Sequence, residues 1–164
     1  MFTALLCVCA WIGIPLGNTV FTLQTFGLFL TLLLLGGRRG LFVCCAYLLL
    51  GSAGLPVFSG FRGGLGMLTG ATGGYLWGFL AAAFVYSLLE QFPLLGLILG
   101  LLTCYLCGTL WFLYLYLDTD VPMALGAVIA KCVLPYLIPD GIKLGLALLL
   151  SKRLHKFITL PSRA

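Results

Sequence analysis

The sequence predicts an all-α integral membrane protein of about six transmembrane helices with a glycine-rich outer loop, a single domain over residues 1–164. Two observations carry this reading. Apolar residues make up 62% of the chain and charged residues only 8%, with a mean hydropathy of +1.19. A soluble domain carries about 25% charge, and one of this size could not hide so much apolar surface. The apolar runs are also continuous, as in LFLTLLLL (28–35), rather than alternating. Helices and closed barrels both satisfy their backbone in lipid, and unbroken runs favour helices.

A helix needs about 20 residues to cross the hydrocarbon core, which places spans at 2–17, 20–36, 40–56, 70–89, 94–117 and 138–156. The first is short, but it lacks the basic n-region and small-residue cleavage pattern of a signal peptide. The turn GGRRG (36–40) separates the second from the third. Between the third and fourth lies GSAGLPVFSGFRGGLGMLTGATGGYL (51–76), dense in glycine with Arg62 in its middle. Residues without a Cβ permit close backbone approach and turns closed to other side chains. The segment 121–136, VPMALGAVIAKCVLPY, carries Lys131 and is bracketed by prolines. It reads as a helix or folded loop at the membrane face. One helix over 121–156 would exceed a single span and contain Pro135 and Pro139.

Charge placement sets orientation. Arg38 and Arg39 occupy the 36–40 turn, and Lys152, Arg153, Lys156 and Arg163 the C-terminal tail. An even number of crossings puts both on the side of the N-terminus, and basic residues mark the cytoplasm. The reading is therefore a multi-pass cell-membrane protein with both termini cytoplasmic and the 57–69 loop outside. The opposite face carries Asp118 and Asp120 together with Arg62 and Lys131. The formal charge of +5 reports topology in the lipid bilayer, and no nucleic-acid partner is expected.

Catalytic patterns are missing. The chain has no G-x-x-x-x-G-K-[ST] loop, no H-E-x-x-H and no G-x-S-x-G. Ser52 and Ser59 have no plausible histidine partner, and GFRGGLG (60–66) follows no strand of a soluble βαβ unit. An enzyme is disfavoured. The cysteines (7, 9, 44, 45, 104, 107 and 132) fall mostly in spans, where they act as small apolar residues. Cys104-x-x-Cys107 has neither a second pair nor a nearby histidine, so no metal site is expected. One constellation remains. Asp140 and Lys143 are three residues apart near the outer end of the last span, on one helical face. Charges there are costly and normally face a cavity or each other. Two readings compete: a structural ion pair with Lys143 reaching toward the interface, or a polar end-wall for a ligand.

The pieces TLQT (22–25), GLPVF (54–58), GGLG (63–66), TGGYL (72–76) and LPYLIPDGIK (134–143) together resemble the BioY family over almost the whole chain. Members of that family are the biotin-specific S components of energy-coupling-factor vitamin transporters. Ala71 replaces the proline of the family's G-P-T-G-G-Y, and Thr3 with Cys7 is the nearest equivalent of its small-residue stripe. The resemblance implies an S-component-like fold that captures biotin outside and delivers it inward. No cofactor is implied; the partners are a transmembrane coupling protein and a pair of ATP-binding-cassette ATPases. Biotin carries a ureido ring, a sulfur ring and a valerate carboxylate. On this reading Asp140 accepts from a ureido N–H, and Lys143 donates to the ureido carbonyl or keeps Asp140 ionised. Arg62 takes the carboxylate, and Phe58 and Tyr75 wall the rings. Gly73 and Gly74 allow backbone approach, and Thr72 caps the following helix. Tyr75 reads equally well as a helix-packing aromatic. The alternatives are an S component for another small vitamin, or a membrane-embedded enzyme or structural subunit.

Overall fold

The computed structural model describes residues 1–16, 19–116 and 125–156. Its order is α1 (Phe2–Trp11), β1 (Gly13–Leu16), β2 (Thr19–Thr22), α2 (Gln24–Leu35), α3 (Gly37–Ser52), α4 (Leu65–Thr69), α5 (Gly73–Leu88), α6 (Pro93–Tyr116), α7 (Leu125–Cys132) and α8 (Leu134–Leu154). Helices α1, α2, α3, α5, α6 and α8 follow the six expected spans in order. By length and composition, α6 and α8 can each cross a bilayer, whereas α1, α2 and α5 are apolar but shorter.

The largest departure is near the N-terminus. The expected span over 2–17 stops at Trp11, and the chain then forms an antiparallel hairpin, paired from Gly13↔Thr22 to Leu16↔Thr19. Pro15 explains the stop: its ring removes a helix donor and drives the preceding residue into extended backbone. The last helix differs in the other direction. It begins at Leu134, before the expected 138, with Pro135 in its first turn and Pro139 inside it. Pro139 would have bonded the carbonyl of Pro135, so the missing bond falls within the opening turns. A turn at Val133 separates α7 from α8, so no continuous helix runs from 121 to 156. Asp118, Asp120 and Arg163 lie outside the described residues.

The closest helix pairings are α5 with α6, α3 with α5, and α2 with α8. Tyr47, Tyr86, Phe29, Leu28 and Leu32 fill the interior. Phe42, Leu49, Leu88, Ile138 and Leu149 point outward and exposed. Such apolar surface would be an association hazard in water and suits a helical bundle in lipid.

The loop between α3 and α4 is folded tightly. The Phe58 N–H donates to Arg62 O at 2.9 Å, and the Gly64 N–H donates to Gly51 O at 2.7 Å. Gly64 has φ +97°, a left-handed backbone that favours glycine. Phe61, between them in the turn, is at φ +57°, a conformation uncommon for a bulky residue.

Candidate functional site

Asp140 and Lys143 meet on one face of α8 with Lys143 Nζ 2.7 Å from Asp140 Oδ1. Asp140 is 2% exposed and Lys143 8%. Two other helices complete the cluster. Thr25, in the first turn of α2, donates from Oγ1 to Asp140 Oδ1 at 2.8 Å and accepts from Lys143 Nζ at 3.1 Å. Tyr105 of α6 donates its hydroxyl to Asp140 Oδ2 at 2.6 Å. The α6–α8 pair is not among the closely packed backbones, and the long tyrosine side chain bridges it.

A buried ion pair recovers its desolvation cost only when further hydrogen bonds complete it. Here the carboxylate receives three bonds from Lys143, Thr25 and Tyr105. An ammonium has three N–H donors. Two of those on Lys143 reach Asp140 and Thr25, and the third has no acceptor among the described residues. The cluster is therefore preorganised, with one cationic donor left over among the described residues. The hairpin reaches the opening turn of the same helix: Phe21 of β2 packs on Tyr136 of α8 with ring centroids 4.8 Å apart.

A second polar line begins beside the first. Thr22 Oγ1 donates to Gln24 Oε1 at 3.1 Å. Gln24 Nε2 donates to the Tyr47 hydroxyl at 2.7 Å, and that hydroxyl donates to Val57 O of the loop between α3 and α4 at 2.9 Å. Gln24 and Tyr47 are buried.

The other expected site residues lie elsewhere. Arg62 is exposed on the loop between α3 and α4, and its side chain bonds neither Asp140, Lys143 nor any other described residue. Phe58 is 1% exposed. It stacks edge-on with Tyr47 at 5.4 Å and fills the space where a Cβ at Gly51 would stand. It is a core residue, where a ring-facing wall was expected. The Tyr75 ring covers Gly108 of α6, leaving no room there for a side chain, as the helix-packing reading requires. Gly73 and Gly74 do permit close approach, but to protein. A Cβ on Gly73 would meet the Leu68 carbonyl, and one on Gly74 the Trp111 side chain and, at 2.9 Å, the Cys107 carbonyl. Thr72 occupies the position before α5, yet its side chain makes no capping bond.

Sequence reasoning missed Thr25, Gln24, Tyr47 and Tyr105. The available signal was TLQT (22–25), polar residues opening a long apolar run. On the face of α6 turned away from Tyr105, Trp77, Leu110, Trp111 and Tyr114 help line an open apolar groove of about 670 Å³. It offers no charged group, and the ion pair is remote from it.

Bundle and cluster together define a multi-pass helical membrane protein with a buried, hydrogen-bonded charge pair, the kind of feature that marks substrate pathways in lipid. Residues 1–160 match the BioY family, and the chain belongs to it. It is 42% identical over 162 residues to the biotin transporter BioY of Thermotoga maritima, covering 95% of this chain and 92% of that protein. It is 36% identical to the probable biotin transporter BioY of Pyrococcus horikoshii, covering 94% and 92%. Among solved structures it resembles the S-component for biotin from an ECF-type ABC transporter. The TM-score is 0.81 at 26% identity, over 94% of this chain and 87% of that one.

Proposed function

We propose that this chain, acting as one domain, is the biotin-capturing S component of an energy-coupling-factor uptake system. It takes biotin from outside and releases it inward with a transmembrane coupling protein and ATPases. The observation that supports this most is the Asp140–Lys143 cluster, because among the described residues it leaves one cationic donor of a hydrogen-bonded network without a protein acceptor. That donor suits the ureido carbonyl, the strongest acceptor on the biotin ring system. Among the described residues Asp140 Oδ2 accepts only from Tyr105, so it keeps capacity for a ureido N–H. Arg62 answers the valerate carboxylate with a fork-shaped donor. No nucleotide-binding loop exists in the chain, so uphill transport draws its energy from partners.

Titration of the detergent-purified protein with biotin and with biotin methyl ester tests the reading. Saturable biotin binding with weaker ester binding is expected. Failure to bind biotin overturns it.

Orientation belongs to the same proposal. His155 Nε2 lies 3.3 Å from Leu33 O, so the C-terminal end of α8 and the basic α2–α3 turn share one end of the bundle. Arg38, Arg39, Lys152, Arg153 and Lys156 gather there, which fits the cytoplasmic face. In a cysteine-free background, Arg62→Cys should react with an impermeant thiol reagent in intact cells and Arg39→Cys should not. The reverse pattern would invert the topology.

A further inference from the structure

The two polar lines start from adjacent residues. Gln24 reaches the outer loop through Tyr47 and the Val57 carbonyl. Thr25 holds both members of the ion pair. We infer that the segment 22–25 couples the two: capture of a ligand by Lys143 and closure of the loop over 54–64 are linked through Gln24, Thr25 and Tyr47 as positioning residues. This rests on the proposed function, because the ligand used to probe it is biotin.

The direction of the hydrogen bonds supports a mechanical link. Each member of the Thr22–Gln24–Tyr47–Val57 line donates to the next, so all of its bonds point toward the loop. No step is free to reverse, since a backbone carbonyl terminates the line. Gln24 and Tyr47 are buried, and water cannot replace a broken bond there. Thr25 is equally constrained. Its one hydroxyl proton goes to Asp140 while its oxygen accepts from Lys143. When a ligand carbonyl draws on the ammonium, Lys143 shifts against Thr25, and Thr25 is joined to Gln24 by a single peptide unit. The loop has a matching sensitivity. It carries Phe61 in an unfavourable left-handed backbone, and its inner side is fastened by the Tyr47 hydroxyl. Small displacements at that fastening change how firmly the turn is held.

The test is amide hydrogen exchange over 54–64 in the full chain, with and without saturating biotin, after biotin binding by the wild type is established. In the wild type, biotin should slow exchange at Phe58 and Gly64, whose N–H groups close the loop, by about tenfold or more. Thr25→Val keeps the shape, loses the hydroxyl and leaves every loop bond in place. It should still bind biotin, with release about tenfold faster, and lose most of the slowing. Thr25→Ser should restore it, which a packing defect would not permit. Tyr47→Phe should leave the loop exchanging fast whether or not biotin is bound. Wild-type slowing in Thr25→Val, or no recovery in Thr25→Ser, overturns the coupling while leaving biotin binding intact. Absence of biotin binding in the wild type instead overturns the functional reading and the coupling with it.

Discussion

The charge cluster and the loop over 54–64 are held in different ways. At the cluster, Asp140, Lys143, Thr25 and Tyr105 come from three helices and bond one another, with Asp140, Lys143 and Tyr105 buried and Thr25 half-buried. In the loop, Val57 and Phe58 anchor the base, while at the tip Arg62 and Phe61 are exposed and the turn carries a left-handed non-glycine residue. Local opening free energies are low where buried contacts are few and the backbone is exposed. One region is built to stay in place and the other to open, and a captured ligand would touch both. On the proposed function, the preorganised region would supply affinity without an ordering cost, and the loop would govern entry and release.

The largest effect should come from stranding a charge in the rigid region. Asp140→Leu leaves Lys143 buried without its carboxylate and the Tyr105 hydroxyl without an acceptor. Breaking one member of a buried pair costs about 3–5 kcal/mol, so thermal unfolding in detergent should move sharply downward and biotin binding should vanish. Asp140→Leu with Lys143→Met should recover much of the stability, because no charge is stranded, and none of the binding. A double variant that binds biotin normally would reduce the pair to a structural element and break the contrast with the loop.

In the loop the effect should be on the ligand alone. Arg62→Gln removes an exposed guanidinium with no partner among the described residues, so stability should hold. A lost charge-assisted bond to the valerate costs about 1.5–3 kcal/mol, a roughly tenfold to hundredfold weaker biotin affinity. The methyl ester should bind the variant and the wild type alike. Equal biotin affinity in both would remove Arg62 from the site. Gly73 and Gly74 sharpen the boundary between regions. Their open faces are taken by Leu68 and Trp111, so Gly74→Val should overpack the α5–α6 contact at about 1–3 kcal/mol. Thermal stability should fall first, with affinity following only as folded protein is lost. A folded, fully stable Gly74→Val protein that fails to bind biotin would restore the ligand-approach role.

What the sequence made legible divides along the same line. The helical membrane class and the Asp140–Lys143 pair were readable, because a charge within an apolar run is costly wherever it lies and the i,i+3 spacing is local. The partners of that pair were not. Thr25 and Tyr105 stand 115 and 35 residues from Asp140, and a neutral hydroxyl in a span carries no cost large enough to announce its partner. The hairpin over 13–22 was hidden for another reason: a short apolar run fits strand and helix alike, and only Gly13 and Pro15 marked the break. The glycines were read correctly as sites of close approach, but composition cannot say whether the approaching atoms belong to a ligand or to Leu68 and Trp111. Grouping Arg62 with the ion pair relied on shared membrane side, which fixes depth along the bilayer normal and leaves lateral position open.

The smallest expected effect tests whether burial is what separates the loop's two fastenings. On its inner side the loop is held by the Tyr47 hydroxyl bonded to Val57 O, fully enclosed. On its outer side Trp11, at the end of α1, donates from Nε1 to Pro56 O at 2.8 Å and stacks on Phe61 with centroids 5.0 Å apart. Both are single neutral bonds to adjacent carbonyls. Removing the buried one leaves the Gln24 amide and the Val57 carbonyl without partners, a loss of about 1–3 kcal/mol for each group left unsatisfied. Removing the exposed one by Trp11→Phe lets water take over the Pro56 carbonyl and keeps a ring against Phe61, so the loss should be about 0.5 kcal/mol. Biotin release, followed by exchange of a radiolabelled ligand, should speed up about twofold in Trp11→Phe and distinctly more in Tyr47→Phe. Trp11→Ala also forfeits the stack, about 0.5–1.5 kcal/mol more, and should fall between them. If Trp11→Phe released biotin as fast as Tyr47→Phe, the loop would be governed from its wet side, and enclosure of the Tyr47 bond would not be the property that holds it.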